Sequence, residues 1–396
     1  MSYFKDAMRA QYYLPIISKH LKPLLDYLYE LKQKWVYLDI DEIQKQFLSS
    51  LGGEADQILL PVIANELYLA KCSGVLQGNT SAERYDSFFL KNGKWTVEAK
   101  HIPQKYPFLF EMLNRLVQTS VENIRECLVR LENDANALFH WAGIDVKRLV
   151  TIQTSGGDRH RGGRQVLVLT FGESKVVYKP TYLYADQLYA EFVNLLALHP
   201  PYDLRSAQIL PRNGYGWLEF IDFVPCKSEH EVRSYYQRAG ALLAVADTLN
   251  YCDGHFENLI AHGAYPVLID CETLFHAFGS VQDFGGERSI FFTGLIQPLV
   301  GEEPIKRGLS AAFQVYGGKR NHILHTYAVE DHTDNLQVRF RGSTEETSFN
   351  SAVYDGSFQW AGKYVAEVVD GYRTTYDRIT SCSTLILNNS DWWKKW

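Results

Sequence analysis

The spacing of apolar residues changes near residue 150, and that change limits the folds open to this chain. In "HLKPLLDYLYELKQKW", Leu21, Leu24, Leu25, Leu28 and Leu31 recur at three- and four-residue steps. Such a period lays one apolar stripe along a helix. The same period returns between Phe108 and Trp141, where it predicts two helices. The stretch "LQGNTSAERYDSFFLKNGKW" between these segments carries Gly, Asn and Ser punctuation and reads as a connection. Residues 1 to about 150 therefore read as a helical scaffold.

Beyond residue 150 the apolar runs shorten. "RQVLVLTF" and "SKVVYKP" are β-branched runs joined through Gly172 and Glu173, a hairpin signal. A helical pattern follows in "ADQLYAEFVNLLALH", then strands in "AQILPR" and "YGWLEFIDFV", then the helical "EHEVRSYYQRAGALLAVADTL". A mixed sheet backed by one helix and followed by a mainly helical part is an α+β arrangement. The expected organisation is a helical region over 1–150, a sheet-bearing lobe over 151–226 and a helical lobe over 227–396.

Composition narrows the function classes. The chain has 396 residues, enough for two or three domains, and 46% apolar with 22% charged content is ordinary for a globular protein. A net charge of −6 supplies no basic footprint and argues against general nucleic-acid binding. The six cysteines are widely spaced, which fits reduced thiols in a cytosolic protein better than a disulfide framework. The N-terminus lacks a signal-peptide pattern, and no run approaches the roughly 18 apolar residues that span a membrane. The expectation is a cytoplasmic protein without a membrane span.

Three stretches carry chemistry. In "TSGGDRHRGGRQ", glycines at 156, 157, 162 and 163 let backbone N–H groups approach an anion, and Arg159, His160, Arg161 and Arg164 add positive charge. Lys179 ends the run "VVYKP", so a sheet would hold its stem with the ammonium at one end. Nucleotide kinases use such a strand lysine on the α/β-phosphates and pair it with a helix glutamate. Glu191 on the next helix is the candidate for that glutamate.

The third stretch is "NYCDGHFENLIAHGAYPVLIDCETLF". Phosphoryl transfer needs a carboxylate near the acceptor hydroxyl, an amide or carboxylate on one Mg²⁺, and an aspartate joining metal to phosphates. Asp253 and Asn258 are five apart, His255 lies between them, and Asp270 follows twelve residues after Asn258. A zinc reading through Cys252, His255, Asp270 and Cys271 lacks a second ligand pair at finger spacing. No Gly-x-Ser-x-Gly elbow supports a serine hydrolase.

At these residues the sequence resembles the dehydratase domain of class II lanthipeptide synthetases, the LanM type. The resemblance rests on "GDRHRGGRQV", "VVYKP", "GYGWLEFI", "YYQRAGALLAVADTLNYCDGHFENLIAHGAYPVLIDCETLF" and the upstream "NELYLAKCSGVLQGNTSAERYDSFF". It covers about residue 10 to about residue 375. It implies a lipid-kinase-like bilobal core with added helices, and ATP- and Mg²⁺-dependent phosphorylation of Ser or Thr in a ribosomal precursor peptide. In the family the phosphate is then eliminated to leave a dehydroamino acid. By motif, Asp158 and His160 would belong to the phosphate-facing loop and Lys179 would contact phosphate. Asp253 would orient or deprotonate the hydroxyl beside His255, and Asn258 and Asp270 would hold Mg²⁺. Glu272 and Glu191 are added from their positions alone, and the strand "YGWLEFIDFV" would supply the adenine hinge.

The chain departs from the family pattern near its end. The "GF…Y" helix is recognisable as "DGYRTTYDRI", but no residues match the family's elimination motif. Arg339, Arg341 and Thr344 lie upstream of that helix and do not inherit the role. "FNSAVYDG" stands at the family's Asn-x-Pro turn without its proline. The expectation is a chain without the family's zinc cyclase domain. The expected enzyme therefore phosphorylates without eliminating, with a separate elimination or cyclase protein as a possible partner. Three alternatives stand beside it: a complete dehydratase, a small-molecule or lipid kinase, and an inactive peptide-binding module.

Overall fold

The structure is a computed structural model. It describes residues 4, 6–154, 159, 161–276, 289–296, 299–300, 303–304, 313, 324–342, 349–389, 392 and 394. The chain divides into two compact units, Met1–Pro180 with Leu324–Arg341, and Thr181–Ile323 with Gly342–Trp396. Mixed helices and antiparallel sheets make the class α+β, as the apolar periods predict.

The first unit opens with α1 (Ala7–Lys32) and α2 (Ile40–Cys72). Then come α3 (Ser81–Phe89), the small hairpin β1 (Leu90–Lys91) and β2 (Lys94–Trp95), and α4 (Val97–Lys105). The helical series closes with α5 (Pro107–Asn133) and α6 (Ala135–Ala142). The predicted stripe is the buried face of α1, where Leu21, Leu24, Leu28 and Leu31 are all buried. The two helices expected over 108–141 are α5 and α6.

The expected connection over 76–95 is instead partly helical. Thr80 accepts from the Glu83 N–H at 3.1 Å, and the Glu83 carboxylate accepts from the Thr80 N–H at 3.0 Å. This capping box satisfies donors that a helix start would otherwise leave open.

Three antiparallel strands complete the first part of this unit: β3 (Leu149–Thr154), β4 (Leu167–Phe171) and β5 (Ser174–Lys179). The predicted hairpin is β4–β5, and Gly172 in its turn takes φ +62°, a region open to glycine at little steric cost. Strand β3, which the sequence did not announce, lies at a sheet edge.

In the second unit, α7 (Tyr184–Leu196) stops where Ala197 turns left-handed at φ +46°. The hairpin β6 (Ile209–Arg212) and β7 (Tyr215–Glu219) leads to α8 (Glu229–Thr248). A second hairpin, β8 (Leu259–His262) and β9 (Tyr265–Leu268), carries the chemistry-bearing stretch. The pair β10 (Leu299–Val300) and β11 (Glu303–Pro304) follows. Strands β12 (Leu324–Val329) and β13 (Gln337–Gly342) then return the chain to the first unit. The second unit ends with β14 (Val353–Tyr354), β15 (Ser357–Phe358), α9 (Val365–Ser381) and α10 (Ser383–Leu387).

Helices α8 and α9 cross with their backbones in contact. A Cβ added at Gly240 would collide with the Val368 carbonyl, and one at Gly371 with the Gln237 carbonyl. Only glycine permits that approach. The "DGYRTTYDRI" helix is thereby locked against the helix that leads into the candidate site, and Tyr372 donates to the Asp247 carboxylate at 2.9 Å. Buried Tyr235, Leu242, Val245, Leu259, Leu268 and Leu274 belong to the core beneath. Among the described residues, no helix is long and apolar enough to cross a membrane.

Candidate active site

The loop Asn250–Asn258 leaves α8 through Asn250, which turns left-handed at φ +53°. Gly254 is the point of closest approach. Its N–H donates to the Thr293 carbonyl at 2.8 Å, and an added Cβ would strike that oxygen. The short turn Phe256–Asn258 is capped by His255, whose Nδ1 accepts from the Glu257 N–H at 3.2 Å. The other ring nitrogen, Nε2, faces Asn258 and Asp253. That nitrogen stands 3.6 Å from Asp253 Oδ1.

Asn258 joins the group by donating through Nδ2 to the Asp253 backbone carbonyl at 3.0 Å and to Asp253 Oδ2 at 2.9 Å. The five-residue spacing thus becomes a direct side-chain contact. The same Nδ2 lies 3.1 Å from His255 Nε2. With its N–H groups turned toward Asp253, the amide presents its oxygen in the other direction.

Asp270 reaches this loop through two backbone links. The Ile269 N–H donates to the Asn258 carbonyl at 3.0 Å. The Tyr251 hydroxyl lies 2.9 Å from the Asp253 carbonyl and 3.0 Å from the Asp270 carbonyl. Tyr251 is 1% exposed. Burial pushes its phenol well above the usual range, with Cys271, Asp253 and Asp270 adding to the effect, so it remains a neutral donor. Asp270 Oδ1 accepts from the Glu272 N–H at 3.1 Å, an Asx turn that fixes the carboxylate's direction. Sequence reasoning missed Tyr251. Its signal was a large aromatic two positions before Asp253.

The structure therefore brings Asp253, His255, Asn258 and Asp270 together within the second unit, with Glu272 beside Asp270. Glu191 lies half-buried in α7 of the same unit. Lys179, 7% exposed, ends β5 in the first unit. Asp158 and His160 lie outside the described residues.

The loop arginines near them differ from expectation. Arg159 donates to Glu54 at 2.7 Å and to the Ser120 hydroxyl at 3.0 Å, and Arg164 donates to Glu126 at 2.6 Å. Helix carboxylates from α2 and α5 engage the charge that the sequence reading assigned to an anion.

The donor set speaks to metal type. An amide oxygen and a carboxylate, at Asn258 and Asp270, are hard oxygen ligands of the kind Mg²⁺ takes. The zinc alternative fares worse. Among the described residues, Cys252, His255, Asp270 and Cys271 do not converge as a metal-ligand group. All six cysteines are free.

Such a loop-and-strand set, an aspartate and an asparagine five apart with a later aspartate bound to the same loop, is of the type used by phosphoryl-transfer enzymes. Comparison with known proteins gives the family. The profile described as "Domain of unknown function (DUF4135)" matches residues 106–391. The lacticin 481/lactococcin biosynthesis protein LcnDR2 of Lactococcus lactis subsp. lactis is 28% identical over 292 residues. That stretch is 72% of this chain and 30% of the relative, so the chain spans under a third of that protein's length. The chain belongs to the DUF4135 family, as a protein of the LanM-type dehydratase region.

Proposed function

We propose that this protein transfers the γ-phosphoryl group of ATP to Ser or Thr hydroxyls of a ribosomally made precursor peptide in lanthipeptide biosynthesis. The observation that carries the reading is the Asn258–Asp253 contact, with Asp270 tied to the same loop through Tyr251. The relative's printed role in lacticin 481/lactococcin biosynthesis supports the peptide as substrate. The proposed architecture is a lipid-kinase-like core, with a helical region over 1–150 and kinase lobes over 151–226 and 227–396.

In this reaction the acceptor oxygen attacks the γ-phosphorus, the bond from that phosphorus to the ADP oxygen breaks, and the hydroxyl proton passes to an Asp253 carboxylate oxygen. Asn258 positions that carboxylate through its amide donor. His255 Nε2, 3.6 Å from Asp253 Oδ1, stands beside the other carboxylate oxygen and helps to orient it. Asn258 and Asp270 would hold Mg²⁺, which when bound supplies charge neutralisation on the β/γ-phosphates. Lys179 would contact phosphate, with Glu191 as its partner and Asp158 and His160 in the phosphate loop. The proposal concerns the phosphorylation step alone.

Incubation with ATP, Mg²⁺ and a lanthipeptide precursor peptide tests the reading by intact mass. Phosphorylation adds about 80 Da per site, and completed dehydration removes about 18 Da. A gain supports the proposal. A loss makes the chain a complete dehydratase, and an unchanged peptide counts against both. ATP turnover without peptide would favour a small-molecule or lipid kinase.

A further inference from the structure

The first unit contains two adjoining cavities that the phosphoryl-transfer site does not use. Helix α2 meets the edge strand β3 where Ser50 Oγ lies 3.2 Å from Thr154 Oγ1. Beside that contact lies a groove of about 470 Å³, lined from α2 by Gln46 and Ser49 and from β3 by Ile152, Gln153 and Thr154. Cavities of roughly 300–1,000 Å³ are the usual size of ligand sites. Behind it, and sharing Ser50 and Thr154, is a chamber of about 10 Å³ lined by Asn123. That volume admits roughly one water-sized group.

Two features give these cavities a chemical preference. Asn123 is 3% exposed, and its Nδ2 donates to the Gln165 carbonyl at 3.0 Å. Its Oδ1 is buried and has no hydrogen-bond partner among the described residues. Gln46 repeats the pattern: Nε2 donates to Glu42 at 2.8 Å, while the buried Oε1 has no partner among the described residues. A buried acceptor left unmade costs on the order of 1–3 kcal/mol, so both cavities call for a ligand that brings N–H donors. The second feature is β3 itself, which pairs with β4 on one side and ends the sheet. Its outer edge offers backbone N–H and C=O groups in alternation, the surface to which an extended peptide adds as a further strand.

We infer that this groove binds an extended segment of the peptide substrate as an added strand on β3. Backbone N–H groups or side-chain amides of the peptide meet Gln46 Oε1, and one donor tip enters the chamber to meet Asn123 Oδ1. The choice of peptide as occupant rests on the function proposed above. The groove and its unmet acceptors do not.

Fluorescence anisotropy with the fluorescein-labelled precursor peptide, in the absence of ATP and Mg²⁺, tests this inference. Ser49 is exposed, so Ser49→Trp fills the groove without disturbing the core. It should raise Kd at least about tenfold, or 1.4 kcal/mol, with a smaller rise for Gln46→Met. In the wild-type protein, peptide should slow amide hydrogen exchange over residues 149–154. Equal Kd values for wild type and Ser49→Trp overturn the inference. So does a peptide that fails to bind, or one that leaves β3 exchange unchanged. Binding at β3 with no gain in peptide mass would break the phosphorylation reading alone. A mass gain with binding indifferent to Ser49→Trp would break the groove alone.

Discussion

Two regions of this molecule gather acidic groups around a buried tyrosine, and they do so to opposite ends. In the first unit, Arg9 is 1% exposed and grips Asp56 at 2.7 and 3.1 Å and Asp331 at 2.7 and 3.1 Å. Tyr85 accepts from Arg9 at 3.1 Å and donates to Asp6 at 2.7 Å. Asp6 also lies 2.9 Å from His332 Nδ1. In the second unit, Tyr251 holds two backbone carbonyls, while an amide and an imidazole stand against an Asp253 side chain that is 40% exposed. The first arrangement closes a guanidinium over carboxylates and is structural. The second fixes carboxylates by their backbones and leaves Asp253 accessible to solvent, as the proposed function requires.

The largest effect that would sharpen this contrast is on chemistry. Asp253→Asn should lower peptide phosphorylation by orders of magnitude while urea unfolding stays near wild type. Similar losses of stability and activity would make Asp253 structural and erase the distinction.

Arg9→Met probes the opposite pole. It leaves Asp6 and Asp56 buried without their guanidinium, and urea denaturation should show a loss of about 3–5 kcal/mol. A loss near zero would mean that the cluster is not the clamp its distances indicate.

Tyr251→Phe removes one hydroxyl that lies between two loop carbonyls. It should cost about 1–3 kcal/mol in stability and reduce phosphorylation, because Asp270 would no longer be tied to the Asp253 loop. Wild-type kinetics in this variant would assign that tie to the Ile269–Asn258 hydrogen bond instead.

The smallest effect concerns acid. Asp334 is held down to about 2, chiefly by its hydrogen bond to Arg84, with Ser81 and Lys71 contributing. A carboxylate depressed in the folded state stabilises fully above its ordinary value of 3.8 and loses that contribution as pH falls toward about 2. Asp334→Asn should therefore be destabilising near neutral pH and flatten the acid limb between those values. An unchanged acid limb would place the titrating group elsewhere.

Local patterns carried much of the fold. The stripe from Leu21 to Leu31 announced α1, and the runs around Gly172 announced the β4–β5 hairpin. Helix α3 was hidden by the Gly, Asn and Ser residues around it, although Thr80 and Glu83 spelled its capping box. Strand β3 was hidden because "LVTIQT" is short and half polar.

At the candidate site, the spacing of Asp253, Asn258 and Asp270 was legible because it is local. Tyr251 was not, because the link it makes exists only once the hairpin β8–β9 has folded back. The Arg9 cluster was invisible for a stronger reason, since Asp331 is 322 residues away in the chain. Arg159 and Arg164 looked like an anion-binding set for the same reason, because their partners Glu54 and Glu126 stand 105 and 38 residues off.

The central claim, that the Asp253–Asn258 loop and the Asp270 strand end act together in phosphoryl transfer, is most directly tested at Asp270. Peptide phosphorylation by Asp270→Asn should be measured with ATP and Mg²⁺ beside a melting curve of the same preparation. The account predicts an intact fold and a rate lower by orders of magnitude. A folded variant that phosphorylates the peptide at a near-normal rate would contradict it.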